Sequence, residues 1–308
     1  MAEDLGLLRA EDGAAEVRAS SERHSPSNRR WPRARPRGRS SSDVTATELL
    51  FDASDPYRPE PYGYWLSLAT NAGDVLAARR LRHLVFAGDS AVGPTGIDRD
   101  EYDERGDHLI VRHRSGTGGA TRAEAVATCR LLPPHSNDAA PRGSGLAADR
   151  EFGLMPLEGL LDSAVEAALC CVHPDHRGGG AVSLLWAGIA RYLHLTGYRY
   201  LLGCTSIDLS DGGATAAAFF DLARLQHLAP AEHRCRPRLP VPIGGLPRAA
   251  QPVIPPVLRG ALRLGAVICG PPAFDEMSGS ADFLLLLDLR LADRRQLRHF
   301  LGVRSWDG

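Results

Sequence analysis

The chain contains no lysine: all 36 of its basic residues are arginine. Any lysine-based mechanism is thereby excluded. A surplus of either charge is also missing, since 37 acidic residues leave a formal net charge of −1. No global field therefore draws the molecule to nucleic acid or to a membrane. No apolar run approaches the ~20 residues that cross a bilayer, and the start of the chain lacks the apolar core of a signal peptide. The six cysteines (129, 170, 171, 204, 235 and 269) form no C-x-x-C pair and no framework of short spacings. Several sit inside apolar runs, so they are expected to be reduced, buried small hydrophobes of a cytoplasmic protein. There is no internal repeat.

What is present is a chain of 308 residues, 44% of them apolar, enough for one large domain or two small ones. Residues 1–60 are rich in Arg, Ser, Pro and Glu and are expected to form a disordered extension. Their run from Arg29 to Arg39 can touch anionic lipid or nucleic acid, but a solvated tail is the expectation. An ordered domain is expected over 61–303, with 304–308 as a tail. Periodicity predicts a strand over 62–70 and a helix over 71–89 capped by Asn71. Strands follow at 107–113, 124–132 and 163–172, then a helix carrying Val182, Leu185, Trp186, Ile189 and Leu193 on one side. A strand at 198–206, a helix at 211–228 capped by Asp211, a short amphipathic segment at 257–266 and a buried strand at 281–289 complete the series. This order predicts a mixed α/β sheet covered on both faces, and it is not doubly wound.

Between the third of these strands and the helix after it lies "CCVHPDHRGGGAV", residues 170–182. Glycines at the mouth of a helix let a ligand approach its unpaired N–H groups, where the helix dipole attracts phosphate. Gly178, Gly179 and Gly180, followed by Ala181 and preceded by Arg177, fit such a cradle. They equally fit a tight turn. Glu166 interrupts an otherwise apolar strand, which is costly unless the carboxylate is paired or working. Asp103 and Asp107 lie in a polar turn where aspartate is common anyway. Arg82 and Arg130 each interrupt an apolar face, and a salt bridge to those acids is the simpler account. His173 and His176 form an H-x-x-H on a turn with no third ligand nearby, so no metal site is expected.

A strand, an R-x-x-G turn, a helix and a second strand resemble the acyl-donor site of the GNAT acyltransferase superfamily. Arg177 and Gly180 match its motif, while Val182 departs from the usual small residue. "LRHLVF", "RDEYDERGDHLIV", "CVHPDHR", "SLLWAGIARYL", "LLGC" and "LRGALRLGA" narrow the resemblance to one branch. That branch is the ornithine–acyl carrier protein N-acyltransferases, distant relatives of the acyl-homoserine-lactone synthases. The likeness spans about residues 62–302. It departs at Ala168 (usually Gly), Leu169 (Arg), Ala261 (Tyr) and Phe274 (His).

The resemblance implies a three-layer α/β/α fold with a central, mixed, splayed sheet. It implies an N-acyltransferase that moves an acyl group from a phosphopantetheine donor, on acyl carrier protein or CoA, to the α-amine of ornithine or a similar amino acid. No bound cofactor and no metal are expected. By the same resemblance, Glu166 holds or deprotonates the amine and Asp103 and Asp107 contact the cationic acceptor; a salt bridge from Arg82 or Arg130 would still position those acids. A backbone N–H at Cys171 or Val172 would polarise the thioester. The implied partners are acyl carrier protein and the membrane surface, visited peripherally without spanning it; no nucleic acid is expected. An acyl-CoA-dependent transferase, a lactone-type synthase and a non-catalytic acyl-binding relative are the alternatives.

Overall fold

The computed structural model describes residues 51–52, 63–86, 96–115, 122–134, 145–177 and 180–301. In chain order its elements are β1 (Phe51–Asp52), β2 (Tyr64–Leu68), α1 (Ala72–Phe86), β3 (Asp107–Ser115), β4 (Arg122–Leu132), β5 (Phe152–Gly153), α2 (Glu158–Leu161) and β6 (Ala164–Val172). They continue with α3 (Gly180–Thr196), β7 (Tyr200–Asp208), α4 (Ala214–Gln226), β8 (Arg236–Pro237), α5 (Pro256–Leu264), β9 (Val267–Ile268), β10 (Ala273–Asp275), β11 (Ser280–Asp288) and α6 (Arg294–Leu301).

One mixed sheet runs in the order β1-β2-β3-β4-β6-β7-β11-β10, with β9 also on β11. All its pairings are antiparallel except β6 with β7. Consecutive residues of a strand face opposite sides, so each strand feeds two cores. Leu109, Leu131, Val165 and Phe283 point to the core filled by Leu185, Trp186 and Ile189 of α3 and Phe219 of α4. Leu132, Leu202, Leu284 and Leu286 point to the other core, closed by Leu146, Phe152, Leu154 and Leu157 of the irregular segment before β6. The helix α1 packs against β3, β4 and β6, and its Arg82 shares a buried network with β4 Arg130. The expected α/β sandwich is therefore present.

Local chemistry explains the helix ends. Asn71 Oδ1 accepts the backbone N–H of Asp74 at 3.0 Å, and Asp74 Oδ2 accepts that of Thr70 at 3.1 Å. Asp211 accepts the N–H of Thr215 at 2.8 Å. In α3, a Cβ on Gly188 would lie 2.6 Å from a Leu66 methyl, so glycine lets the helix settle onto β2. The amphipathic α5 turns Leu258, Ala261 and Leu264 inward, so its apolar side serves the core and not a lipid surface.

Phe51–Asp52, within the span expected to be an extension, pairs with Trp65 and Leu66. Residues 1–50 and 53–60 lie outside the described residues, as do 302–308. Cys129 and Cys170, expected to be reduced, are joined as a disulfide, their Cα atoms 4.0 Å apart on neighbouring strands. Nothing in their sequence spacing of 41 residues marks them as partners; only the strand register brings them together.

Candidate active site

The sheet splits between β6 and β7. The two are paired from Ala164–Tyr200 to Ala167–Gly203 and no further, although β6 continues to Val172 and β7 to Asp208. The split has a local cause. Across β4–β6, Thr128 stands opposite Cys171 and Arg130 opposite Ala168, so Leu169 and Cys170 together oppose Cys129. This is a β-bulge, which bends its strand and breaks pairing. Leu169 adopts φ +53°, a left-handed conformation that costs a branched side chain energy and is stored where the surroundings impose it. Past the split, Ala167–Cys170 and Gly203–Thr205 become half-buried, so the strands line a cleft.

The backbone of β6 turns a donor into this cleft. The N–H of His173 donates to Val126 of β4 at 2.8 Å. Alternation along the strand then turns the N–H of Val172 toward β7. The Val172 carbonyl points the same way and accepts from Arg177 Nε at 3.3 Å. Arg177 therefore closes the end of β6, immediately before α3 begins at Gly180 with its first-turn N–H groups unpaired by the helix itself. Gly180 is exposed, whereas Ala181 is buried against the core. Gly178 and Gly179 lie outside the described residues. Beside the turn, Tyr64 Oη and His176 Nδ1 are 2.7 Å apart, and His113 and His173 pack against the His176 ring. Burial, then its histidine neighbours, pulls the His176 pKa down. The H-x-x-H pair is thus part of an aromatic cluster, and among the described residues no group of three or more His, Cys, Asp or Glu is placed to hold a metal.

Glu166 precedes the bulge and is 1% exposed. Its Oε2 accepts the N–H of Ala147 at 2.6 Å and its Oε1 that of Ala148 at 2.8 Å. These are the first N–H groups of a short 3₁₀ turn, Ala147–Arg150, so backbone dipoles and not an arginine side chain hold the carboxylate. Burial raises its pKa, opposed by those two N–H groups and then by Arg130.

Asp103, Arg82 and Arg130 are brought together, but with one another. Arg82 grips Asp103 through both terminal nitrogens at 2.6 and 2.7 Å, and Arg79 adds a bond at 2.9 Å. Arg130 reaches Asp100 at 2.5 Å and Asp103 at 3.4 Å. With these partners, Asp103 is held well below the usual carboxylate range despite its burial. The network joins α1 to the sheet. Asp107 is apart from it, on the α3 side, where it accepts the Tyr192 hydroxyl at 2.6 Å and burial raises its pKa.

The cysteine side chains beside the cleft are poor nucleophiles. Burial pushes the Cys171 thiol up to about 12 and that of Cys204 well above its ordinary value, so neither supplies thiolate near neutrality.

Sequence reasoning missed a second set of acids. Burial raises the Cys204 thiol pKa, and the negative charges of Glu151, Glu166 and Asp282 add to that shift. Asp282, 6% exposed, stands opposite Ser206 and accepts the Ser280 hydroxyl at 2.6 Å. Ser280 lies 2.7 Å from the Ser278 hydroxyl, which donates to Asp275 at 2.6 Å. Glu151 ends the same 3₁₀ turn that Glu166 holds at its start, and it is hydrogen-bonded to Asp282. Asp282 could have been found by the signal that exposed Glu166, an acid inside an apolar strand.

Residues 81–187 match the Acetyltransferase (GNAT) domain family. An L-ornithine N(alpha)-acyltransferase of Rhodobacter capsulatus is 33% identical over 248 residues, covering 74% of this chain and 91% of that protein. The chain belongs to the L-ornithine N(alpha)-acyltransferase family. It is an N-acyltransferase of GNAT fold. A family member from Brucella abortus is 25% identical over 257 residues, covering 76% of this chain and 87% of its own. Among solved structures, a CoA-dependent acyl-homoserine lactone synthase shares 17% identity at a TM-score of 0.41, covering 76% of this chain and 85% of that one. Among the described residues no helix is long and apolar enough to cross a membrane.

Proposed function

We propose that the chain transfers an acyl group from the thioester of an acyl carrier protein to the α-amine of ornithine. The observation that carries this reading is the split between β6 and β7, with a backbone N–H of β6 turned into it and a buried carboxylate beside it. The pantetheine arm enters along β6, its phosphate against Arg177 and the first N–H groups of α3 from Gly180 and Ala181. The N–H of Val172, next to Cys171, faces the thioester carbonyl and takes the charge that develops on its oxygen.

The neutral α-amine attacks the carbonyl carbon. A C–N bond forms, the C–S bond breaks, and the amine loses one proton. Glu166 receives that proton through a water molecule, a task suited to a carboxylate whose pKa burial has raised. The thiol leaves as a thiolate with little acid assistance, since an ordinary thiol such as that of cysteine has a pKa of only about 8.5. In this account Arg82, Arg130 and Asp103 are structural supports that fix α1 and β4. Asp107 ties β3 to α3. Acyl carrier protein as donor, and a peripheral visit to the membrane where a lyso-lipid product would belong, are parts of the proposal.

Mass spectrometry of lipid extracts from a host expressing the chain tests it. The expected product is a new fatty amide of ornithine. A secreted lactone instead would favour a synthase of the homoserine-lactone type, and neither product would leave an acyl-binding protein without transfer activity.

A further inference from the structure

Glu166 takes the N–H groups of Ala147 and Ala148 at 2.6 and 2.8 Å, so its place and its charge are only as well defined as the 3₁₀ turn Ala147–Arg150. The turn's own bonds are long, 3.3 Å from the Asp149 N–H to Leu146 and 3.2 Å from the Glu151 N–H to Ala148, as 3₁₀ geometry leaves them. An anchor comes from far along the chain, from Arg238 just after β8. Its Nε donates to the Asp149 carbonyl at 2.7 Å, its Nη2 to Asp149 Oδ1 at 2.8 Å, and its backbone N–H to the Glu151 carbonyl at 2.7 Å. The planar guanidinium thus grips main chain and side chain of one residue together, which fixes an orientation and not only a distance. Pairing of β5 with β8 brings Arg238 alongside the turn. On the other approach Arg105 donates to the Gly145 carbonyl at 3.0 Å, and Leu146 and Ala148 are buried, so loss of Arg238 loosens the turn without freeing it. The Arg238 side chain is 55% exposed, and an exposed ion pair adds little to stability. Its effect is therefore expected on the geometry of the turn.

We infer that Arg238, through Asp149, is a positioning residue for the transfer: it sets the turn that aims the Ala147 and Ala148 N–H groups at Glu166. This rests on the transfer reading above, in which Glu166 takes the amine's proton. In this account Arg238 touches neither thioester nor amine. Burial raises the Glu166 pKa and the two N–H groups oppose it. A slack turn weakens that opposition, so the pKa climbs further, less of Glu166 is in the form that accepts a proton, and the rate at a given pH falls. The other charged or titratable groups that act on Glu166 or feel its charge are Arg130 of β4, Asp100 and Tyr102 before β3, Glu151, and Cys204 of β7. The Arg238 side chain forms no ion pair with any of them among the described residues; its ionic partner is Asp149.

The test measures the pH dependence of kcat and kcat/KM for the full chain and for Arg238→Ala and Arg238→Lys. Arg248→Ala is the control, since Arg248 makes a comparable surface ion pair with Asp221 of α4, the helix that packs on the other core. Arg238→Ala is expected to move the acid limb up by about 0.5–1 pH unit and to lower kcat below that limb about 3- to 10-fold. KM for the acyl donor should stay the same. Arg238→Lys keeps the charge beside Asp149 without the planar fork and should recover part of the shift. In a Glu166→Gln background Arg238→Ala should cost nothing further, because the group it acts through is gone. Hydrogen exchange over residues 145–151 should quicken in Arg238→Ala and not in Arg248→Ala. An arginine that served the fold alone would lower the melting midpoint and leave the limb where it was. An unshifted limb overturns the proposal, and so does a further loss of rate on top of Glu166→Gln. Should Glu166→Gln transfer as fast as wild type, the transfer reading falls and exchange alone decides: a turn no looser in Arg238→Ala then overturns the anchoring as well.

Discussion

Glu166 and Asp103 show how differently two buried acids can be used. Glu166 is held by two peptide N–H groups and sits beside the split. Its replacement by glutamine keeps the shape and removes the proton acceptor. The rate is expected to fall about 10²-fold or more, with donor affinity preserved, and the rise of rate with pH that tracks Glu166 ionisation should vanish. A pH–rate profile of both proteins checks this. In the proposed account Asp103 serves structure, held by Arg82, Arg79 and Arg130. Removing it leaves buried arginines unmatched, so Asp103→Asn should cost about 3–5 kcal/mol in a denaturant titration near neutral pH. The folded pKa of Asp103 is depressed, so its contribution is present above the ordinary carboxylate pKa and fades as the pH falls through the folded value. The gap between wild type and variant should therefore narrow in acid. For Glu151 the folded pKa is raised, and the sign reverses: its cost grows as the pH climbs above the ordinary carboxylate range. An acid in an apolar strand is visible in sequence, which is why Glu166 could be singled out. Whether an arginine or a peptide N–H answers it depends on which loop folds over it, and no spacing reveals that.

At the scale of elements, the strands and helices were legible because their apolar periods are long and regular. The bulge was not. Leu169 reads as one more apolar residue of a strand, and only the register with β4 exposes its left-handed backbone. The segment before β6 was equally hidden, since its short 3₁₀ turns carry no sustained period, and it is this segment that holds Glu166. Two substitutions probe the elements that shape the cleft. A Cβ at position 203 would lie 2.7 Å from the Ala167 carbonyl oxygen, a backbone atom that cannot swing aside. Gly203→Ala should therefore destabilise the protein by about 1–3 kcal/mol, the usual penalty for overpacking, read as a lower denaturation midpoint. At the start of α3 the situation differs. A Cβ on Gly180 makes only ordinary contact, 3.4 Å from the Tyr64 ring. Gly180→Val should keep the fold while obstructing the helix mouth, weakening acyl-donor binding at least about tenfold in calorimetry if phosphate sits there. Arg177→Ala should weaken it less, and mostly at low salt. Donor affinity unchanged in both would reduce the turn to a structural role.

For the whole molecule, two hydrophobic cores lie on either side of one sheet. Deleting residues 1–50 should leave the melting midpoint nearly unchanged; a large drop would mean that they pack on the domain. The division of labour is then simple. In the proposed account the α3 side supplies the packed core and the helix end that would face the donor phosphate. The opposite side carries Asp103, paired with arginines, and Glu166, held by peptide N–H groups. What joins the sides is the split in the sheet, where thioester and amine can meet. The most direct test gives the purified chain 3-hydroxyacyl–acyl carrier protein and ornithine, and locates the acyl group on the product by fragmentation mass spectrometry. The account predicts a single amide at the α-nitrogen, formed with release of the carrier thiol and lost in Glu166→Gln. Thiol release with no amide, or an amide formed equally well by Glu166→Gln, would contradict it.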